Sequence, residues 1–341
     1  MQDYLLGGYT KRANQGVLAV AFDSQTAQFT TPQLIAPLSQ PTYLGVADDR
    51  QLFFAIHKGE DKSGIVAFQR TATGWQEISR LLDSDIPGCH VCYRASSRTI
   101  YVANYHEGAL YTYRLNDANQ LEARQRLQYN GSSIHPNQKS SHIHYAGLNH
   151  TQTLLFVCDL GTDIVSSYHV DGEGNLTLAS EFHAPAGTGP RHLVLHPTLP
   201  IAYIIGELAN TTLVVSVEND GTLQLIQTIA NVSEKYLQTS AGAAIRITKD
   251  GRFLYTSTRF HNTMTVYHIC ELEGTLTFIQ QIDTQGEIPR DFILDASERY
   301  VLVPHQDSDY ISVFERDTST GTLRFLHNTT CAPECVCIAH A

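Results

Sequence analysis

PRHLVLHPTLPIAYIIGELANTTLVVSVENDGTL, residues Pro190–Leu223, holds most of one structural unit. A short strand at His192–His196 meets a Pro-containing turn, and the apolar run Ile201–Ile205 follows. A third strand alternates through Thr212–Val217, and Asn219-Asp-Gly-Thr-Leu223 turns the chain into a fourth. β-Branched and aromatic runs with period-two alternation, punctuated by Gly, Pro, Asn and Asp, predict antiparallel strands. Gly at the turn supplies the positive φ that such hairpins require.

The same order of signals recurs along the chain. Units open near Pro41, Pro87, Ser141, Pro190, Ala243, Pro289 and Pro333, at spacings of 46, 54, 49, 53, 46 and 44 residues. Short strands repeating every ~40–50 residues are the signature of a β-propeller. The apolar second strands are Leu52–Ile56, Thr99–Ala103, Leu154–Cys158, Ile201–Ile205, Phe253–Ser257 and Tyr300–Val303. Gly turns recur at Glu173-Gly-Asn-Leu176, Glu273-Gly-Thr-Leu276 and Thr320-Gly-Thr-Leu323. At the ends, Tyr4–Gly8, Gly16–Phe22 and Phe29–Ile35 supply three strands, and Pro333–Ala339 matches the missing first one. The expected fold is therefore all-β: a seven-bladed β-propeller in one domain over 1–341, with four antiparallel strands per blade. One blade is closed jointly by the N- and C-termini, which removes a free sheet edge. The segment from Tyr129 to Ser140 reads as an insertion.

Bulk properties narrow the function. The 341 residues carry a formal net charge of −11, which disfavours nucleic acid and anionic membrane as partners. No apolar run is long enough to span a bilayer and no secretory leader is evident, so a cytoplasmic protein is expected. Seven cysteines, an odd number scattered through a large domain, fit reduced thiols. Cys89 and Cys92 form a lone CxxC whose members face opposite sides of a strand, so packing explains them better than zinc.

Propeller topology allows the units to be superposed. First strands line the channel and second strands run antiparallel to them. Starts of the former and ends of the latter thus share one rim. The starts are Thr42, Gly88, His142, Arg191, Ala244, Arg290 and Glu334, and two residues on come Leu44, His90, His144, Leu193, Arg246, Phe292 and Val336. The second-strand ends are Tyr9, His57, Tyr105, Leu160, Glu207, Arg259 and Gln306. His90, His142, His144, Arg191, Glu207, Arg246, Arg259 and Arg290 would gather at one mouth. Unpaired charges there are costly, and a structural network centred on Glu207 is one reading. The other is a pocket for a small carboxylate or phosphate, since the cluster is positive within a negative protein. His142-x-His144 could hold a metal from one strand face. It lacks a third ligand, and the neighbouring guanidiniums oppose a cation, so no metal is expected. No phosphate-binding Gly loop or nucleophile elbow is present, and no cofactor is expected.

Ser141-His-Ile-His144, Gly189-Pro-Arg-His-Leu-Val-Leu-His-Pro197, Ile288-Pro-Arg-Asp-Phe292 and Lys249-Asp-Gly-Arg-Phe-Leu-Tyr-Thr-Ser-Thr-Arg259 are similar to motifs of the lactonase seven-bladed propeller family. That family includes bacterial 6-phosphogluconolactonase and fungal 3-carboxy-cis,cis-muconate cyclase. The resemblance covers essentially the whole chain. It implies catalytic roles for His142, Arg191, Glu207 and Arg259, with Glu207 or His142 as general base. Substrate-binding candidates are His144, Arg246, Arg290, His90 and Gln306, with Arg246, Arg290 and His144 as the candidate phosphate clamp. The implied activity is hydrolysis of a small anionic sugar lactone, 6-phosphogluconolactone first, in the pentose phosphate pathway. A lactonizing cycloisomerase and a non-catalytic propeller binding a partner protein are the alternatives. A monomer or weak homo-oligomer is expected.

Overall fold

In the computed structural model the seven units form seven antiparallel sheets arranged around a channel. The structure describes residues 1–341, except the side chain of Thr330. Blade 1 pairs Cys335–His340 with Gln2–Gly8, which pairs in turn with Gly16–Asp23. Its fourth strand is broken into Gln28–Phe29 and Gln33–Pro37, both pairing with Gly16–Asp23. The termini therefore close the ring as the sequence predicts. Blades 2 to 7 each run outward in chain order. Their inner strands are Leu44–Val46, His90–Arg94, Ile143–Leu148, Pro190–Leu195, Ala241–Ile247 and Ile293–Leu294. The third strand of blade 2, which the sequence defines poorly, is Ser63–Thr71. One 3-10 turn at Glu234–Tyr236 interrupts the β structure, and no helix is long and apolar enough to cross a membrane.

Apolar second and third strands from neighbouring blades pack face to face, as where Phe54 and Ile56 meet Val91, Ile100 and Val102. Burying each such side chain contributes about 1.5–3 kcal/mol. A repeated tyrosine device locks blades together. Tyr101, Tyr203 and Tyr255 donate to the carbonyls of Gly174, Gly274 and Gly321 at 2.8, 2.9 and 2.7 Å. Each tyrosine sits on a second strand and each glycine in the last hairpin turn of the next blade. Those glycines have φ of 87°, 68° and 75°, as the turn motif requires. A Cβ on Gly321 would also stand 2.3 Å from Phe253 Cδ1. Gly321→Ala is accordingly expected to cost about 2–3 kcal/mol, from positive φ plus overpacking. Chemical denaturation should show the midpoint falling, with little change in folded-state circular dichroism.

The 129–140 insertion is pinned by Asp163, itself in the left-handed region at φ 59°. Its carboxylate accepts from Ser133 Oγ at 2.6 Å and Gln138 Nε2 at 2.8 Å, and from the Gly187 and Gly189 amides at 2.7 Å each. One carboxylate thus ties the insertion to the loop that delivers Arg191.

Candidate active site

A cavity of about 650 Å³ opens at the rim where first strands begin and second strands end. Tyr9, Thr42, Cys89, Tyr105, His144, Glu207, Arg259 and Arg290 line it, with Lys11, Gln40 and Lys58 on the side of blades 1 and 2. Four cationic side chains face it against two carboxylates, in a chain of net charge −11.

Glu207 is the centre of the cluster. Its Oε2 lies 3.0 Å from Arg191 Nε and its Oε1 2.8 Å from Arg259 Nη2. Arg191 enters from the inner strand of blade 5, Glu207 follows the second strand of that blade, and Arg259 ends the second strand of blade 6. Burial pushes the Glu207 carboxyl up, but Arg259, Arg191 and Arg290 outweigh it and hold it below the usual carboxylate range. Burial likewise opposes charge on Arg191, and Glu207 is the counter-charge that offsets it. Arg191 Nη1 also donates to the Ala243 carbonyl. Arg191 Nε and Arg259 Nη2 are held by their ion pairs with Glu207, while Arg259 Nε is buried with no acceptor among the described residues. Arg290 has no carboxylate within ion-pair distance among the described residues.

Backbone strain marks the same place. Among non-glycine residues at positive φ, only Phe260 (68°) and Ile288 (60°) have large apolar side chains. Phe260 follows Arg259, and Ile288 lies two residues before Arg290. Such conformations cost about 1–3 kcal/mol each and persist where surroundings enforce them. The Ile288 amide donates to Asn262 Oδ1 at 3.0 Å, joining the two strained loops.

His142 stands behind the cavity wall. Its ring stacks on Tyr105 with centroids 4.2 Å apart and planes 6° from parallel. Its Nδ1 lies 2.9 Å from the Tyr105 carbonyl, which only accepts, so Nδ1 carries the hydrogen and a neutral ring keeps its lone pair on Nε2. Tyr105 itself faces the cavity. Burial, then Glu207 and Cys89, push its phenol up to about 12, which keeps the O–H protonated at neutral pH.

Below the cavity the channel narrows to a throat of about 50 Å³. His144 and His192 line it, and His90 packs against His192. Ring centroids are 5.2 Å apart for His144–His192 and 5.4 Å for His90–His192. Burial, then Arg246 and Arg191, pull His90 down to about 3. Burial and nearby guanidiniums hold His144 and His192 well below the imidazole range as well. All three are neutral rings, and Nδ1 of His90 and of His144 finds no partner among the described residues. No group of three His, Cys, Asp or Glu side chains among the described residues has the geometry to hold a metal ion.

The structure thus brings Arg191, Glu207, Arg259, Arg290 and His144 together, with His142 one ring behind and His90 deeper in the channel. Two candidates lie elsewhere. Arg246 pairs with Asp291 at 2.6 Å and lines a separate opening of about 350 Å³ with Asp48, Arg50 and His340. It is the second-last residue of its inner strand, Ala241–Ile247, so it faces the opposite mouth. Gln306 bonds to Asp307, and its carbonyl accepts from Arg12, outside the cavity wall. Strict alternation also misplaces several neighbours. β-Bulges at Ile143/Tyr145, Pro190/His192 and Gly242/Ile245 shift the register of three inner strands. His192 and Tyr145 consequently join the channel, while Leu193 packs in the core between blades 4 and 5. Glu334, aligned at the rim, instead caps the 11–14 loop by accepting its four amides.

Comparison with known proteins agrees with this fold. The family described as Lactonase, 7-bladed beta-propeller matches residues 3–340. An uncharacterized protein of Lactococcus lactis is 38% identical over 335 residues, covering 98% of each chain. A Bacillus subtilis protein named 6-phosphogluconolactonase is 29% identical over 338 residues, covering 98% of this chain and 96% of its own. The solved structure titled Pseudomonas aeruginosa periplasmic gluconolactonase superposes with a TM-score of 0.92 at 26% identity, over 99% of this chain and 98% of that one. By its strands, its closure and its matched sequence, the chain belongs to the lactonase family of seven-bladed β-propellers.

Proposed function

We propose that the protein hydrolyses a small anionic sugar lactone, with 6-phosphogluconolactone as the preferred substrate. The observation that carries this reading is the Arg191–Glu207–Arg259 cluster in the wall of a cavity with excess positive charge. Water oxygen adds to the lactone carbonyl carbon as Glu207 accepts its proton. The carbonyl oxygen, now an oxyanion, meets the Nε–H of Arg259, which has no acceptor among the described residues. Preorganised donors of this kind act on charge that develops only in the transition state. Collapse breaks the bond to the ring oxygen, and the leaving alkoxide takes the proton of the neutral Tyr105 phenol. Proton return from Glu207 to Tyr105 restores the site, and the new carboxylic acid ionises to solvent. His142 holds the Tyr105 ring in place by stacking on it and binding its carbonyl. Arg290, free of any carboxylate, meets the acidic group of the substrate.

A carboxylate held below its usual range is a weak base, but it stays ionised well into acid. The name of the Bacillus subtilis relative supports the phosphorylated lactone as substrate. The test couples 6-phosphogluconate formation to its dehydrogenase, corrected for spontaneous opening, from pH 5.5 to 8. A Glu207 base gives a flat acid limb over this range, whereas an imidazole base would cause a fall near pH ~6.5. No acceleration over the uncatalysed reaction would refute the function.

A further inference from the structure

Two lysines on the wall opposite Glu207 have no role in the steps above. Lys11 follows the second strand of blade 1, Gln2–Gly8, and Lys58 follows the second strand of blade 2. Both line the 650 Å³ cavity, and neither has a carboxylate within ion-pair distance among the described residues. Their positions are held by the fold. The Lys11 ammonium sits 4.7 Å from the centre of the Tyr9 ring. The Lys58 amide donates to the Ser39 carbonyl at 2.9 Å, and the Gln40 amide donates to Thr10 Oγ1 at 3.1 Å. Gln40 and Thr42 line the same cavity beside the lysines and add uncharged polar side chains to it. Arg290 continues the arc from blade 7 and lines the same cavity as Tyr9. Asp85, the remaining carboxylate on this cavity, is taken by Lys62.

Resting on the lactonase reading, we infer that Lys11 and Lys58, with Arg290 beneath them, form a phosphoryl-binding arc that selects a phosphorylated over an unphosphorylated sugar lactone. A phosphate monoester carries nearly two charges and three acceptor oxygens at neutral pH, which one guanidinium does not satisfy. The lactone ring then spans the channel, carbonyl at Glu207 and Arg259, phosphate at blades 1 and 2. An uncharged hydroxymethyl end gains little from the lysines.

The test compares Lys11→Ala/Lys58→Ala with wild type on 6-phosphogluconolactone and on glucono-δ-lactone. The double variant is expected to lose about 30-fold in kcat/KM on the phosphorylated lactone, mainly through KM, with the unphosphorylated rate unchanged. Adding salt should weaken wild type on the phosphorylated substrate and leave the double variant nearly indifferent. An unchanged preference, or equal loss on both lactones, overturns the inference. Calorimetric binding of 6-phosphogluconate against gluconate reads the same arc without catalysis. If wild type opens neither lactone, the proposed function fails, and this binding difference still decides the arc: a preference lost with the lysines supports it, and none refutes it.

Discussion

Acidification from pH 7 to 5 is expected to lower the melting temperature steeply, although the same protein is nearly indifferent to pH between 7 and 8. The cause is the neutral histidine cluster of the throat. In the unfolded chain His90, His144 and His192 take protons near pH ~6.5. In the folded protein burial and the Arg191 and Arg246 guanidiniums prevent this, with His90 at about 3 and the others also depressed. The unfolded state therefore binds more protons below pH ~6.5, and stability falls with falling pH by up to about 4 kcal/mol per unit for three groups. That is a large share of the roughly 5–15 kcal/mol by which domains are stable. Asp291 acts in the opposite direction, because burial raises its carboxyl, but His305, pulled down to about 4 by burial, adds to the three. Glu207 adds to the loss in stronger acid, where its lowered carboxyl finally protonates and its ion pairs are lost. Thermal melts by circular dichroism at half-unit pH steps read the slope directly. His90→Gln should flatten it by about one quarter or less, since His305 is held down as well; a melting temperature constant from pH 7.5 to 5 would show that these rings titrate freely.

Glu207→Gln is expected to lower kcat about 10²–10³-fold, the range associated with losing a positioned base or electrostatic group. The amide keeps the size of the side chain but cannot take a proton, and it leaves Arg191 and Arg259 without a counter-charge. Removing one partner from a buried ion pair costs about 3–5 kcal/mol. The variant should therefore melt lower as well, and rates belong at a temperature where it is folded. Arg259→Lys offers the complementary readout. It retains charge but loses the planar fork, so kcat should fall with a smaller loss of stability. Loss of stability without loss of kcat in either protein would assign the cluster to architecture.

The ring of seven blades was legible because each blade must bury its own apolar strands, and that requirement repeats in the sequence every time. The closing blade was legible for the same reason: Gln2–Gly8 pairs with Gly16–Asp23 on one side only, and Cys335–His340, which has no hairpin partner of its own, fills the other edge. Arg191, Glu207 and Arg259 meet at one rim, where strand ends follow from the turns that bound them. Residues inside the first strands were harder. His192 and Tyr145 reach the channel through β-bulges, and a bulge inserts one residue without altering the composition that marks a strand. Arg246 meets the other mouth because position along the strand, not face, decides which opening a side chain meets. Lys11 and Lys58 lie in loops beyond the strand ends, where repeat alignment gives no register. Their presence beside Tyr9 and Gln40 is a product of the closed ring.

The central claim is that the Glu207 cavity opens a phosphorylated sugar lactone. Initial rates on 6-phosphogluconolactone at pH 6, with the spontaneous rate subtracted, test it most directly when wild type and Glu207→Gln are measured together. The account predicts saturable turnover by wild type and a rate at least ~100-fold lower for the variant. Wild-type rates no faster than the spontaneous reaction, or equal rates for both proteins, would contradict it.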